Sequence, residues 1–159
     1  SAAVAVAVGV TVWQFLAAQP RQLTLQDVRR AFGEGAPSSL PPFAGEFDAE
    51  RPPGWHRLDY VGEAAGYQPD GWDRQAAAVY EFQLRRSRRE PIEGLLVVLP
   101  ATHVAAPPAA TSFGGAPTVY HRRYATVAWT SGGTVYVCFV KGGDDGVQAL
   151  KRALRSSLA

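Results

Sequence analysis

Methionine is absent from this chain, even at position 1, and cysteine occurs once, as Cys138. A lone thiol forms no intrachain disulfide, which excludes a disulfide-stapled scaffold and leaves an exported location open. The missing initiator reads as a chain cut from a longer or processed product. Lysine is scarce as well: of the 16 basic residues, only Lys141 and Lys151 are lysines. Arginine in that excess, beside many Ala, Gly and Pro, reads as GC-rich coding bias before it reads as arginine chemistry. Net charge is only +2, too little for binding nucleic acid through bulk electrostatics, so no nucleic-acid partner is expected. Metal-ligand spacing is missing too. His56, His103 and His121 lie far apart and read as surface or loop histidines. Cys138 sits mid-strand among aliphatics, where a thiol behaves as a small hydrophobe. No catalytic, metal or cofactor-binding residue is assigned, no cofactor is expected, and the chain is not expected to be an enzyme.

With 159 residues, 47% apolar and 19% charged, the chain suits one compact domain with an appendage. The appendage is the opening stretch, SAAVAVAVGVTVWQFLAAQP, in which residues 2–18 carry no charge. Four readings compete. Val4, Val6, Val8, Val10 and Val12 alternate as in a strand, but their neighbours are also apolar. As a helix, the stretch spans roughly 25 Å, slightly short of the about 20 residues a bilayer needs. Trp13 and Arg21 suit its interfacial end. A signal peptide and a buried core helix complete the set. The membrane-anchor reading is preferred, and Pro20 ends the segment on any of them. The expected organisation is therefore 1–20 as anchor or signal region, 21–54 as a short helix and Pro-rich linker, and 55–159 as a globular α+β domain.

Within 21–54, TLQDVRRAFG (24–33) reads as a helix capped by Thr24, with Asp27 completing a capping box. Prolines 37, 41, 42, 52 and 53 keep the following stretch irregular. Residues 55–64 read as a strand. QAAAVYEFQL (75–84) and IEGLLVVLP (92–100) form a hairpin around the charged tip RRSRRE, with Ala78, Tyr80, Phe82 and Leu84 facing in. After an Ala/Pro/Gly stretch (104–118), residues 119–130 and 134–141 form a second hairpin with a glycine-bearing turn. TVYVCFVK is apolar on both faces, so it reads as a central strand covered on both sides. DDGVQALKRALRSSLA closes the chain as a helix capped by Asp144 or Asp145, with Val147, Leu150, Leu154 and Leu158 as its stripe. The expected fold is an antiparallel sheet of about five strands, with an N-terminal and a C-terminal helix together covering one face.

Three features invite a sharper reading. KGGDDG (141–146) partly matches the GGDEF signature of cyclic-dinucleotide synthases, yet a turn and a helix start explain all six residues. The basic runs RRSRRE (85–90) and YHRRY (120–124), the second with aromatics, have the composition of single-stranded nucleic-acid sites, a reading the near-neutral total disfavours; the first reads as a solvated hairpin tip that also suits anionic lipid headgroups. TSFGGAP (111–117) reads as a surface loop in preference to a lid. Trp55, Trp72 and Trp129 read as core or rim aromatics.

Short packing motifs carry a family resemblance. Leu58, Val61 and Gly62 look like an "L-x-G-G" strand end, with Glu63 where a second glycine is common. Ala77-Ala78-Val79-Tyr80 looks like an "aa-x-Y" strand, and Trp129, Gly133 and Tyr136 match a "W-x-x-x-G-x-x-Y" hairpin, followed by the helix DGVQALKRAL. Together with the apolar opening, these resemble the extracytoplasmic part of bacterial single-pass transmembrane anti-sigma factors. The resemblance implies a cytoplasmic, often zinc-binding domain that holds a sigma factor and is absent from this chain. It also implies a membrane helix at residues 2–18 and an exported, non-catalytic sensor or partner-binding domain (21–159) that meets an envelope protein or protease. The alternative is a secreted or anchored ligand-binding module, with a pocket lined by Tyr80, Phe82, Trp129 and Phe139.

Overall fold

The computed structural model describes residues 21–34, 51–73 and 75–155. The anchor expected at 2–18 lies outside them, as does most of the 34–54 loop. Among the described residues, no helix is long and apolar enough to cross a membrane.

The described residues are α+β, built on one antiparallel sheet of six strands: β1 (Asp59–Tyr67), β2 (Ala77–Arg86), β3 (Arg89–Pro100), β4 (Thr118–Tyr120), β5 (Tyr124–Ser131) and β6 (Thr134–Lys141). Their order is β1-β2-β3-β6-β5-β4. The strand count is six rather than five because the stretch 119–130 is broken. His121 N–H donates to the Tyr124 carbonyl (2.9 Å), folding His121–Arg123 into a turn between β4 and β5. No Gly, Pro, Asn or Asp marks that turn, so its sequence reads as continuous strand. The first strand also begins later than expected, since Trp55–Arg57 form a single 3-10 turn ahead of β1.

Apolar residues occupy both faces of the central strands, and each face acquires its own core. On one face lie Ala78, Tyr80, Phe82, Leu96, Val127, Trp129 and Cys138, covered by Val147 and Leu150 of the closing helix α2 (Gly143–Arg155). On the other lie Val79, Val97, Leu99, Val135, Val137 and Phe139, covered by Leu23, Val28, Phe32 and Trp72. Val28 belongs to α1 (Leu25–Arg29), which tightens into a π turn (Arg30–Glu34) carrying Phe32. The two helices therefore lie on opposite faces, not on one as expected. The runs AAVY in β2 and LLVVL in β3 leave both faces apolar, and either one bare would expose a large hydrophobic area. The expected burial of β6 on both faces holds: Val135 through Val140 are all buried.

The opening of α1 is tied by backbone to the segment that follows β3. Leu23 forms a parallel bridge with Val104, donating to the His103 carbonyl and accepting from Ala105 N–H, each at 2.8 Å. The capping box is complete. Thr24 Oγ1 accepts from Asp27 N–H (3.1 Å), and the Asp27 carboxylate accepts from Thr24 N–H (2.8 Å). That backbone bond, the Thr24 hydroxyl and, more weakly, the nearby Arg21 and Arg30 charges hold the Asp27 carboxyl below its ordinary 3.8, against a small opposing effect of burial. A depressed folded value stabilises above the unfolded pKa and ceases to do so as pH falls through the folded value. Thr24→Ala is expected to cost about 1 kcal/mol at neutral pH. The stability difference between wild type and Asp27→Asn is expected to shrink below about pH 4, read by urea unfolding across pH.

The strands give the domain two ends. One end gathers the close of β3, the Gly132-Gly133 turn between β5 and β6, and the entry at Leu23. Both glycines have positive φ (57° and 77°), which suits a two-residue hairpin turn. The other end gathers the β2–β3 tip, the β4–β5 turn and the start of α2.

Candidate functional site

At the end holding the α2 start, the acidic pair acts differently from the expected cap. The helix begins at Gly143, so Asp144 and Asp145 lie in its first turn, where negative charge suits the dipole. Tyr120 Oη donates to Asp144 (2.6 Å), a bond that raises the Tyr120 pKa. Arg86 meets Asp145 at 2.9 Å and Arg89 approaches it at 3.8 Å. KGGDDG thus fastens β4 and the β2–β3 tip to α2. Arg88 holds a positive φ of 61° within that tip.

The histidines are dispersed. His121 stacks on Tyr124 (centroids 4.8 Å apart), His56 lies in the turn before β1, and the His103 carbonyl accepts from Leu23. Among the described residues, no three His, Cys, Asp or Glu side chains gather where they could hold a metal ion. Cys138 is fully buried in β6, and that burial pushes its thiol pKa well up. A thiol reagent is expected to leave native Cys138 unmodified and to label it at the rate of global unfolding, followed as labelling against denaturant.

The pocket expected from Tyr80, Phe82, Trp129 and Phe139 does not form around those residues. The first three pack together in one core, Phe139 belongs to the core across the sheet, and all four are buried. Tyr60, beside them, has its pKa pushed up to about 12 by burial, although Arg51 over its ring (4.6 Å) acts in the opposite direction.

A concave feature on this face lies instead at the Gly132-Gly133 end. Trp55 stacks on Trp129 (centroids 5.6 Å, 29° between planes), and Phe113 stands edge-on to Trp55 at 5.4 Å. Trp129 also stacks on Tyr136 (5.2 Å, 18°). Phe113 comes from the loop read as plain surface, and it is buried along with Ala116. That loop is held down by Thr130, whose N–H donates to the Ala110 carbonyl (2.8 Å) and whose hydroxyl donates to the Pro108 carbonyl (2.9 Å). A groove of about 360 Å³ opens over this cluster, walled by the last turns of α2. A second hollow of about 470 Å³ lies on the opposite face between α1 and the Asp70–Asp73 turn, and it mixes both signs of charge. Sequence reasoning missed the groove because its three aromatics come from three separate segments.

No protein family, curated protein or solved structure matches this chain.

Proposed function

We propose that this chain contains the exported, non-catalytic sensor or partner-binding domain of a membrane-anchored anti-sigma-like regulator. The observation that carries the reading is how the resembling motifs pack. Trp129 and Tyr136 stack across the β5–β6 hairpin, Gly133 stands in its turn at positive φ, and Tyr80 joins the same core. The closing helix seals that core through Val147 and Leu150. Residues spaced as in that family thus meet as one packing unit.

In this reading a sigma factor is held by a preceding cytoplasmic domain, and the domain described here receives an envelope signal or gates a protease. Its entry at Arg21 lies at the opposite end of the sheet from the Arg85–Arg89 tip, since Leu23 pairs with Val104 just beyond the close of β3. An anchor ahead of residue 21 therefore directs the basic tip away from the membrane, which favours a protein partner for it over lipid headgroups. The test is purification of the full-length gene product from membranes. A sigma factor is expected to copurify, and to remain bound when residues 21–159 are deleted. Absence of any sigma factor from the purified material would sink the reading.

A further inference from the structure

The groove at the Gly132-Gly133 end has a chemical bias that the packing does not require. Its floor is aromatic, from Trp55, Phe113 and Trp129, and Leu154 of α2 adds an apolar wall. Its ionic groups are both cationic: Lys151 and Arg155, one helical turn apart, with no Asp or Glu in the lining. Lys151 Nζ stands 5.9 Å from the centre of the Phe113 ring. Other surface cations that border a neighbouring strand or helix meet a carboxylate, as Arg85 does with Asp59, Arg86 with Asp145 and Lys141 with Glu93. Among the described residues, no carboxylate pairs with Lys151 or Arg155. The helix dipole accounts for a basic residue in the last turn of α2. It does not account for Lys151 lying over an aromatic ring.

We infer that this groove binds a small amphipathic monoanion, with its apolar body against the Trp55–Phe113–Trp129 cluster and its carboxylate between Lys151 and Arg155. About 360 Å³ falls near the lower end of small-molecule sites, roughly 300–1,000 Å³, which suits a medium acyl or single-ring carboxylate. Hydroxyls of Ser112 and Ser131 line the mouth and supply neutral donors. Phe113 sits within the turn Ser112–Gly115, closed by a 3.2 Å bond from Gly115 N–H to Ser112 Oγ. Its flanking residues Ser112 and Gly114 are exposed, so the turn that carries the ring lies at the groove's rim. This inference is independent of the membrane anchor and of the sigma factor.

Calorimetric titration of the 159-residue chain with octanoate and, in parallel, octanol tests it. Octanoate is expected to bind saturably, one to one, about tenfold or more tightly than octanol. Lys151→Ala with Arg155→Ala is expected to remove that advantage while leaving octanol binding and the unfolding midpoint in place. Arg122→Ala with Arg123→Ala, at the far end of the sheet, controls for bulk charge and is expected to change nothing. The inference is overturned by no saturable octanoate binding, by equal affinity for acid and alcohol, or by equal losses in the two double variants. Binding to anionic phosphatidylglycerol vesicles without binding of free octanoate also overturns it, assigning the cations to a bilayer surface. These outcomes leave the regulator reading untouched, because that reading is decided by location and partner in the cell.

Discussion

Gly94→Ala is expected to cost about 3 kcal/mol or more, a large share of the roughly 5–15 kcal/mol that holds a domain of this size together. Gly94 lies in β3 opposite Phe82 of β2 and Val140 of β6. A β-carbon there would sit 2.3 Å from Phe82 Cζ and 2.6 Å from the backbone oxygen of Phe139. Phe82 is fully buried and stands edge-on to Trp55, so its ring has nowhere to retreat. The Phe139 oxygen belongs to the central strand and cannot move without loosening the β3–β6 ladder. The aromatic ring thus fills the space that a side chain at position 94 would take. Gly114→Ala is the matched control: a β-carbon there meets nothing within 4 Å, and its cost is expected within about 0.5 kcal/mol. Urea unfolding with unchanged slope reads both. A near-neutral Gly94→Ala would contradict the packing of the first core.

Phe32→Ala is expected to cost about 3–5 kcal/mol. Phe32 is 2% exposed, and its ring lies 5.8 Å from Tyr67, 5.9 Å from Trp72 and 6.3 Å from Phe139. It joins α1 to both the edge and the centre of the sheet, and it is among the largest residues of the second core. Removing residues 1–34 is expected to be worse still. It takes away Leu23, Val28 and Phe32 together and uncovers Val79, Val97 and Val137. A stable, monomeric 35–159 fragment with a native unfolding midpoint would show that α1 is dispensable, contrary to this expectation.

The elements that the sequence discloses are those whose signals are local. The 75–100 hairpin, the glycine turn after β5 and the Thr24–Asp27 capping box each follow from residues a few positions apart. The alternation of Val147, Leu150 and Leu154 likewise discloses α2. What escapes is set by partners distant in the chain. His121–Arg123 turn without turn residues, because pairing of β4 on β5 fixes them there. The placement of the helices on opposite faces depends on β2 and β3 being apolar on both sides. That is visible in AAVY and LLVVL only when the two strands are considered together with β6. Phe113 is the clearest case at the candidate site. In sequence it is one aromatic in a Gly/Ser/Pro-rich loop, the signature of a surface segment. Its burial follows from the chain crossing the first face between β3 and β4, a route that no local pattern encodes. Lys151 and Arg155 stand off the apolar stripe of the closing helix, and nothing near them in sequence announces Trp55 and Phe113 as neighbours.

Export of the domain and its tethering at a membrane are reached directly by one measurement. A reporter enzyme active only outside the cytoplasm, fused after Ala159 of the full-length gene product, is followed through cell fractionation. Reporter activity in the membrane fraction is the expected result. Activity confined to the soluble exported fraction would contradict the anchor, and activity in neither fraction would contradict export altogether.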